Sequence, residues 1–374
     1  MLTASQFDAL PLPILNLYEE YSQSIINDIA RRLAGLDFAR PTAAWQVQRL
    51  NESGQLYEAI LKRLAELTGR SEIELRAMFA KAGVQALKFD DDIYRRAGLS
   101  PLPLNLSPAM IDVLKAGLIK TNGLMQNLTR TTAISGQQAF NNAADLAHTQ
   151  ITSGAMGYDQ AIKLAIKKVA SQGLSVVDFR GRRDQLDVAM RRAVLTGVSQ
   201  TTGKLQEARA DEIGTELVAV SAHAGARNKG VGPMNHESWQ GKVYSRKGIH
   251  PGYKDFIETT GYGTGEGLCG WNCRHSWGPF YEGISENAYS EAMLDEMNDK
   301  TVKYQGKEIS QYDATQIQRG IERKIRYFKR QASALEAAGI DNSAEITNIR
   351  GLQAEMRSFI RQTGLNRQNS REQI

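Results

Sequence analysis

Two thiols and four imidazoles fall within one stretch of this chain, from Val218 to Phe280: Cys269, Cys273, His223, His236, His250 and His275. Imidazole and thiolate are the donor types that zinc prefers, and four of them close a tetrahedral structural site. Cys269-x3-Cys273-x-His275 lies on a glycine-rich turn, and His223 and His236 arrive from a preceding loop. A structural zinc ion held by these five candidates would staple a small, loop-rich domain. The spacing is not that of paired Cys-x2-Cys knuckles, so a second reading stands beside the first. In it, a buried Cys273 and hydrogen-bonded histidines lock the loops together without metal.

The same stretch contains the parts of an enzyme. His223, Arg227, Asn235, His236, Glu237, Arg274 and His275 include candidates for a general base, an electrostatic stabiliser and metal ligands. They would suit a metal-dependent nuclease or toxin-like enzyme, although the hairpin-then-helix order of histidine metal-finger nucleases is not evident. Cys273, beside Arg274 and His275, has the neighbours of an activated thiol. The glycine run Gly261, Gly263, Gly265 and Gly267 lacks the Lys-Ser/Thr of a phosphate loop and the framing of a dinucleotide fingerprint, so it reads as a tight turn. Residue types alone assemble no nucleophile, base and pocket. A clamp is the favoured reading of the stretch.

The whole chain sets bounds on these choices. Its 374 residues bury enough core to fold without disulfides, and 41% apolar with 23% charged residues is ordinary for a soluble protein. Two cysteines are too few for a secreted disulfide scaffold. No apolar run is long enough to span a bilayer, and MLTASQFDALPLP lacks the basic and apolar regions of a signal peptide, so a membrane or exported protein is not expected. The net charge of +5 is unevenly placed. Arg180, Arg182, Arg183, Arg191 and Arg192 form one basic cluster, a candidate nucleic-acid contact, and RGIERKIRYFKR forms another. Each also reads as a solvated helix face.

The elements that must position the central stretch are mostly helical. Ile14, Tyr18, Tyr21, Ile25 and Ile29 recur at helical spacing. Trp45, Val47 and Leu50 predict a second helix, and Leu56, Ile60, Leu64 and Leu67 a third that stops at Gly69; Ser71 and Glu74 then form a capping box for the next. Three prolines between Leu99 and Pro108 break the chain, and Ser107-Pro108 starts a further helix. Stripes through Ile162 to Val169 and Leu186 to Val194 follow. TELVAVSAH and GKVYSRKG predict strands. After Gly283 the pattern is helical again, through Ile317 to Leu335 and Ile349 to Phe359, and the polar residues from Asn366 to Ile374 read as disordered. The expected fold is mainly α, with helical regions over 1–98 and 99–214, a small α+β His/Cys/Gly-rich domain over 215–283, and a helical C-terminal region over 284–374. The last two stripes pack inward or serve self-association.

Three motifs occur in order after the helical half: SAHAGAR, NHESWQGKVY and TGYGTGEGLCGWNCRH. As a set, with SGAMGYDQAIKLAIKKVASQG and VDFRGRRDQLDVAMRRAVLTGVSQ upstream, they resemble the phage minor capsid protein 2 family, within the wider group of head-morphogenesis proteins similar to the Mu F protein. The resemblance is specific over about Leu128 to Gly283 and loose over the N-terminal helices. Arg227, His236 with Gly241, and Cys273-Arg274 match the group's motif, and His275 stands where the wider group has a second cysteine. Cys269 is the less expected cysteine. The resemblance implies a low-copy virion protein at the capsid interior or portal vertex, assembled in the host bacterial cytoplasm. Its implied partners are the portal protein, with scaffold or major capsid protein and packaged DNA as further candidates. It implies no established catalytic activity. The alternative is a nuclease or toxin-like enzyme carried in the head and delivered with DNA.

Overall fold

A computed structural model describes residues 1–177, 181 and 183–374. It is 67% helix and 7% strand, so the chain is mainly α. Helices α1 (Ala4–Ala9), α2 (Leu12–Gly35), α3 (Thr42–Arg96), α4 (Pro108–Arg130), α5 (Thr132–Thr152) and α6 (Tyr158–Gln172) come first. A hairpin of β1 (Ser175–Val177) and β2 (Arg183–Gln185) leads into α7 (Leu186–Ile213). The central stretch then contributes β3 (Leu217–Val220), α8 (His236–Trp239), β4 (Val243–Ser245), α9 (Phe256–Thr260) and β5 (Trp277–Pro279). Helix α10 (Glu291–Asn298), a hairpin of β6 (Thr301–Tyr304) and β7 (Lys307–Ser310), and helices α11 (Gln311–Ala337) and α12 (Ser343–Thr363) complete the order.

These elements form two compact units, each gathered from separated stretches. One comprises Met1–Leu12, Ile73–Gly123 and Arg191–Gln316; the other comprises Pro13–Glu72, Leu124–Met190 and Ile317–Ile374. In the first, α4 and α7 approach closely through a reciprocal pair of small and branched residues. A Cβ on Gly117 would overlap Thr201, and one on Gly197 would overlap Thr121. Both threonines are buried. Fully buried Arg209 of α7 is compensated by Asp91 and Glu212, each 3.4 Å away, as a buried cation requires. In the second unit the expected stripes are the core: Ile14, Tyr18, Ile25 and Ile29 of α2, and Ile321, Ile325, Ala332 and Leu335 of α11, are all buried.

Four expectations are corrected. The predicted helices between Trp45 and Leu75 are one 55-residue helix, α3. Gly69 lies inside it with open space at its Cβ position, and Ser71 donates back to the Thr68 carbonyl at 3.1 Å instead of capping. A mid-helix glycine costs about 1 kcal/mol relative to alanine. That is too little to interrupt a helix that keeps Leu56, Ile60, Leu67 and Leu75 buried. The segment after Gly283 is not purely helical, because β6 and β7 pair antiparallel from Thr301↔Ser310 to Tyr304↔Lys307. Gln305 (φ 50°) and Gly306 (φ 77°) supply the two positive φ values of a tight hairpin turn. The hairpin β1–β2 likewise interrupts the region expected to be helical over 99–214. The C-terminal residues are ordered along α11: Gln318 donates to the Asn366 carbonyl, Arg326 to the Arg371 carbonyl, and Lys329 to Gln373. A bidentate Arg367–Glu372 pair at 2.6–2.7 Å, with Glu372 buried, holds the end.

The second basic cluster does not form a solvated face throughout. Arg326 and Arg330 are turned toward Asp187, at 4.0 and 3.8 Å.

Candidate functional site

The site is set by a three-stranded antiparallel sheet of order β4-β3-β5. The alternating β-branched run of β3 buries Val218 and Val220 and pairs Val220 with Trp277 of β5. Just beyond that pair, the chain leaving β3 and the chain entering β5 are tied by Ser221 N–H to the Ser276 carbonyl (2.8 Å) and Ser276 N–H to Ser221 Oγ (2.9 Å). Antiparallel pairing therefore brings His223 and His275 together, and their rings stack with centroids 4.4 Å apart. One turn of helix, α8, contributes His236 and Trp239, whose rings lie 5.4 and 4.9 Å from that of His275. Trp239 is fixed from both ends, donating Nε1–H to the Pro233 carbonyl and accepting from the Tyr244 hydroxyl at its own carbonyl.

The glycine-rich loop supplies the remaining wall. Gly261, left-handed at φ 62°, ends α9, and the chain folds back so that Leu268 N–H reaches the Thr260 carbonyl and Trp271 N–H the Gly265 carbonyl. A Cβ on Gly267 would overlap the carbonyl oxygens of Thr260 and Gly261, and one on Gly270 would overlap that of Gly265. The run of glycines is thus a tightly packed turn. It points the Glu266 carbonyl at His236 Nε2, 2.8 Å away, and it delivers Cys273.

His236, Cys273 and His275 form the cluster, with one nitrogen or sulfur of each within 4.8 Å of the others and all three buried. The partners fix both tautomers. A carbonyl oxygen only accepts, so His236 carries its proton on Nε2 and leaves Nδ1 as the lone-pair atom. His275 Nε2 faces Gln240 Oε1 at 2.9 Å, and the same oxygen accepts the His223 backbone N–H at 3.0 Å. A backbone N–H only donates, which identifies that Gln240 atom as oxygen. Gln240 Nε2 in turn donates to Asn298 at 2.8 Å. His275 is therefore protonated on Nε2, and its Nδ1 lone pair faces Cys273 Sγ at 3.6 Å.

Burial sets the charge states. It lowers the pKa of His236 to about 4 and that of His275 well below the usual imidazole value, while the nearby Arg227 opposes protonation of both. Burial also lowers His223. It raises the Cys273 thiol to about 11 and the Cys269 thiol well above its ordinary value. Neutral imidazoles beside a protonated thiol make a hydrogen-bonded lock, or a set of ligands once the thiol proton is displaced. A depressed thiol pKa, which a nucleophilic cysteine needs, is the opposite of what Cys273 has.

The other sequence candidates take distinct places. Cys269, itself left-handed at φ 60°, is outside the cluster and faces α7, where a Cβ on Gly203 would come within 2.9 Å of its sulfur. His223 stacks beside the cluster, with Nδ1 donating to the Ala224 carbonyl at 3.1 Å. Arg227 is a brace for the loop: its guanidinium donates to the carbonyls of Glu266 (3.4 Å) and Trp271 (3.1 Å), so it shares the Glu266 oxygen with His236. Arg274 pairs with Asp8 at 3.0 Å. Gly241 (φ 69°) sits where a Cβ would come within 2.5 Å of Leu294 and 3.2 Å of Ala222. Of the basic cluster, Arg180 and Arg182 lie outside the described residues; Arg183 is exposed, and Arg191 and Arg192 are half-buried. Gln240 and the Glu266 carbonyl are what the sequence reading missed. The first is one amide in a polar chain, and the second is backbone, so neither has a side-chain signature.

Comparison with known proteins relates the chain to phage proteins. A protein of Lactococcus phage LL-H described as "Structural protein" is 24% identical over 364 residues, covering 93% of each chain. No solved structure matches. A family model described as "Phage minor capsid protein 2" matches residues 2–361, taking in the helical stretches as well as the His/Cys module. With nearly its whole length matched, the chain belongs to the phage minor capsid protein 2 family and is a structural protein of the phage head.

Proposed function

We propose that this protein is a low-copy head component that joins the portal vertex during assembly, with its helices making the contacts and its His/Cys module acting as a clamp. The observation that carries the reading is the extent of the family match, residues 2–361. A catalytic domain grafted onto an unrelated helical chain would match over the module alone. The chemistry of the cluster supports the clamp: its imidazoles are buried, and each commits an N–H to a partner within the fold.

Contacts with portal, scaffold or major capsid protein call for apolar side chains left uncovered on rigid elements. Val47, Leu50 and Leu61 recur along one stripe of α3 and are 58%, 60% and 37% exposed. Packaged DNA is a further partner on this reading, through Arg183, Arg191 and Arg192, and such binding weakens as salt rises. Among the described residues, no helix is long and apolar enough to cross a membrane. Placement at the capsid interior follows from the proposed portal contact.

Quantitative mass spectrometry of purified heads tests the proposal. The expected result is this protein at a small fixed ratio to portal protein, and its loss from heads assembled without portal. Absence from both assembling and mature heads would overturn the structural reading, whereas retention without portal would overturn the portal contact alone. Purified protein incubated with DNA and zinc, magnesium or manganese is expected to leave the DNA intact.

A further inference from the structure

We propose that Nδ1 of His236, Nδ1 of His275 and Sγ of Cys273 bind one zinc-class divalent ion, oriented by the Glu266 carbonyl and by Gln240. Three features lead to this site, convergence giving the residues and the tautomers giving the atoms. The first is convergence of the three side chains within 4.8 Å in a buried setting. The second is tautomer: the Glu266 carbonyl takes the His236 Nε2–H, and Gln240 Oε1 takes the His275 Nε2–H, so both lone pairs are on Nδ1. Ligating histidines are held in this way, their second nitrogen donating to a carbonyl or amide that fixes the ring. The third is a restraint on the restraints. Gln240 is itself fixed by the His223 N–H and by Asn298, and the Glu266 carbonyl by Arg227 and the packed glycine turn.

The donor set also selects the ion. Two imidazoles and a thiolate, with no carboxylate in the cluster, are poor ligands for magnesium or calcium and good ones for zinc or cobalt(II). Three protein ligands leave one tetrahedral position for water. Cys269 lies outside the converging group, with its sulfur 4.0 Å from the His275 carbonyl and against Gly203 of α7. On binding, the Cys273 S–H bond breaks, the thiolate pair goes to the metal, and the proton leaves to solvent. This inference concerns the module alone, so it stands or falls separately from the portal contact.

Cobalt(II) reports both geometry and sulfur ligation, and the test uses the full chain after chelator treatment. Expected are one cobalt per chain, a near-ultraviolet thiolate-to-cobalt charge-transfer band, visible bands of tetrahedral strength, and displacement of all of these by zinc. Cys269→Ser keeps the charge-transfer band; Cys273→Ser loses it while circular dichroism stays native. Gln240→Leu, which removes the anchor of His275, lowers cobalt affinity by about 10- to 100-fold. A folded wild type with no charge-transfer band overturns the proposal, as does a band lost in Cys269→Ser and kept in Cys273→Ser. Should Cys273→Ser fail to fold, X-ray absorption of the zinc-loaded wild type decides. One sulfur and two nitrogens support the site; a shell without sulfur sinks it.

Discussion

The module from Leu217 to Pro279 and the long helices α3 and α11 are stabilised by different kinds of interaction. Along α11 apolar burial recurs at helical spacing, through Ile321, Ile325, Ala332 and Leu335. No single turn is indispensable, and polar residues or a glycine can interrupt the pattern, as Gly69 does in α3. In the module almost every contact is made once. His236 has one carbonyl to donate to, His275 one amide, and Gly267 one place where its backbone can pass the Thr260 and Gly261 carbonyls. Redundancy tolerates substitution, whereas contacts made once do not, and this difference can be measured.

The largest expected effect is at Gly267→Ala. Its Cβ would meet two backbone oxygens, not the yielding end of a side chain. The turn must open, withdrawing the Glu266 carbonyl from His236 and Arg227. A loss above about 4 kcal/mol is expected, the range in which a named backbone or packing fault is needed. Denaturant titration, with near-ultraviolet circular dichroism of the buried Trp239 and Trp277 as the probe, would read it. A loss below that of the next substitution would remove the contrast between the two regions.

Ile325→Ala is the matching test in α11. The side chain is completely buried, and truncation costs about 2–5 kcal/mol through lost burial and the cavity left behind. The helix should persist by far-ultraviolet circular dichroism, since Ile321 and Leu335 remain.

The same contrast explains what could be read in advance. Stripes in α2, α6 and α11 were legible because burial repeats with the helical period, whereas the Schellman end of α11 at Gly339 (φ 70°), with Ile340 N–H on the Leu335 carbonyl, came only from the structure. The chemistry-bearing residues of the module were legible by type. Their orientation was not, because it depends on Gln240 and on a main-chain oxygen, and neither follows from a motif. The hairpin β6–β7 was hidden by Gln305, which takes positive φ where Asn or Asp would have announced the turn. The C-terminal end looked disordered from its polar composition, yet half-buried Arg367 pairs with buried Glu372, which composition cannot display.

The smallest effect is the most direct test of redundancy, since it has the opposite sign. Gly69 occupies the interior of α3, has positive φ nowhere to justify it, and has no atom within 4 Å of its Cβ position. Gly69→Ala is therefore expected to raise stability by about 0.5–1 kcal/mol, because alanine loses less backbone freedom on entering the helix. The measurement is a denaturant midpoint at unchanged slope, supported by slower amide exchange on either side of residue 69. A destabilisation would mean that α3 needs its glycine as a break, as the sequence pattern first implied, and that the long helices too contain a contact made only once.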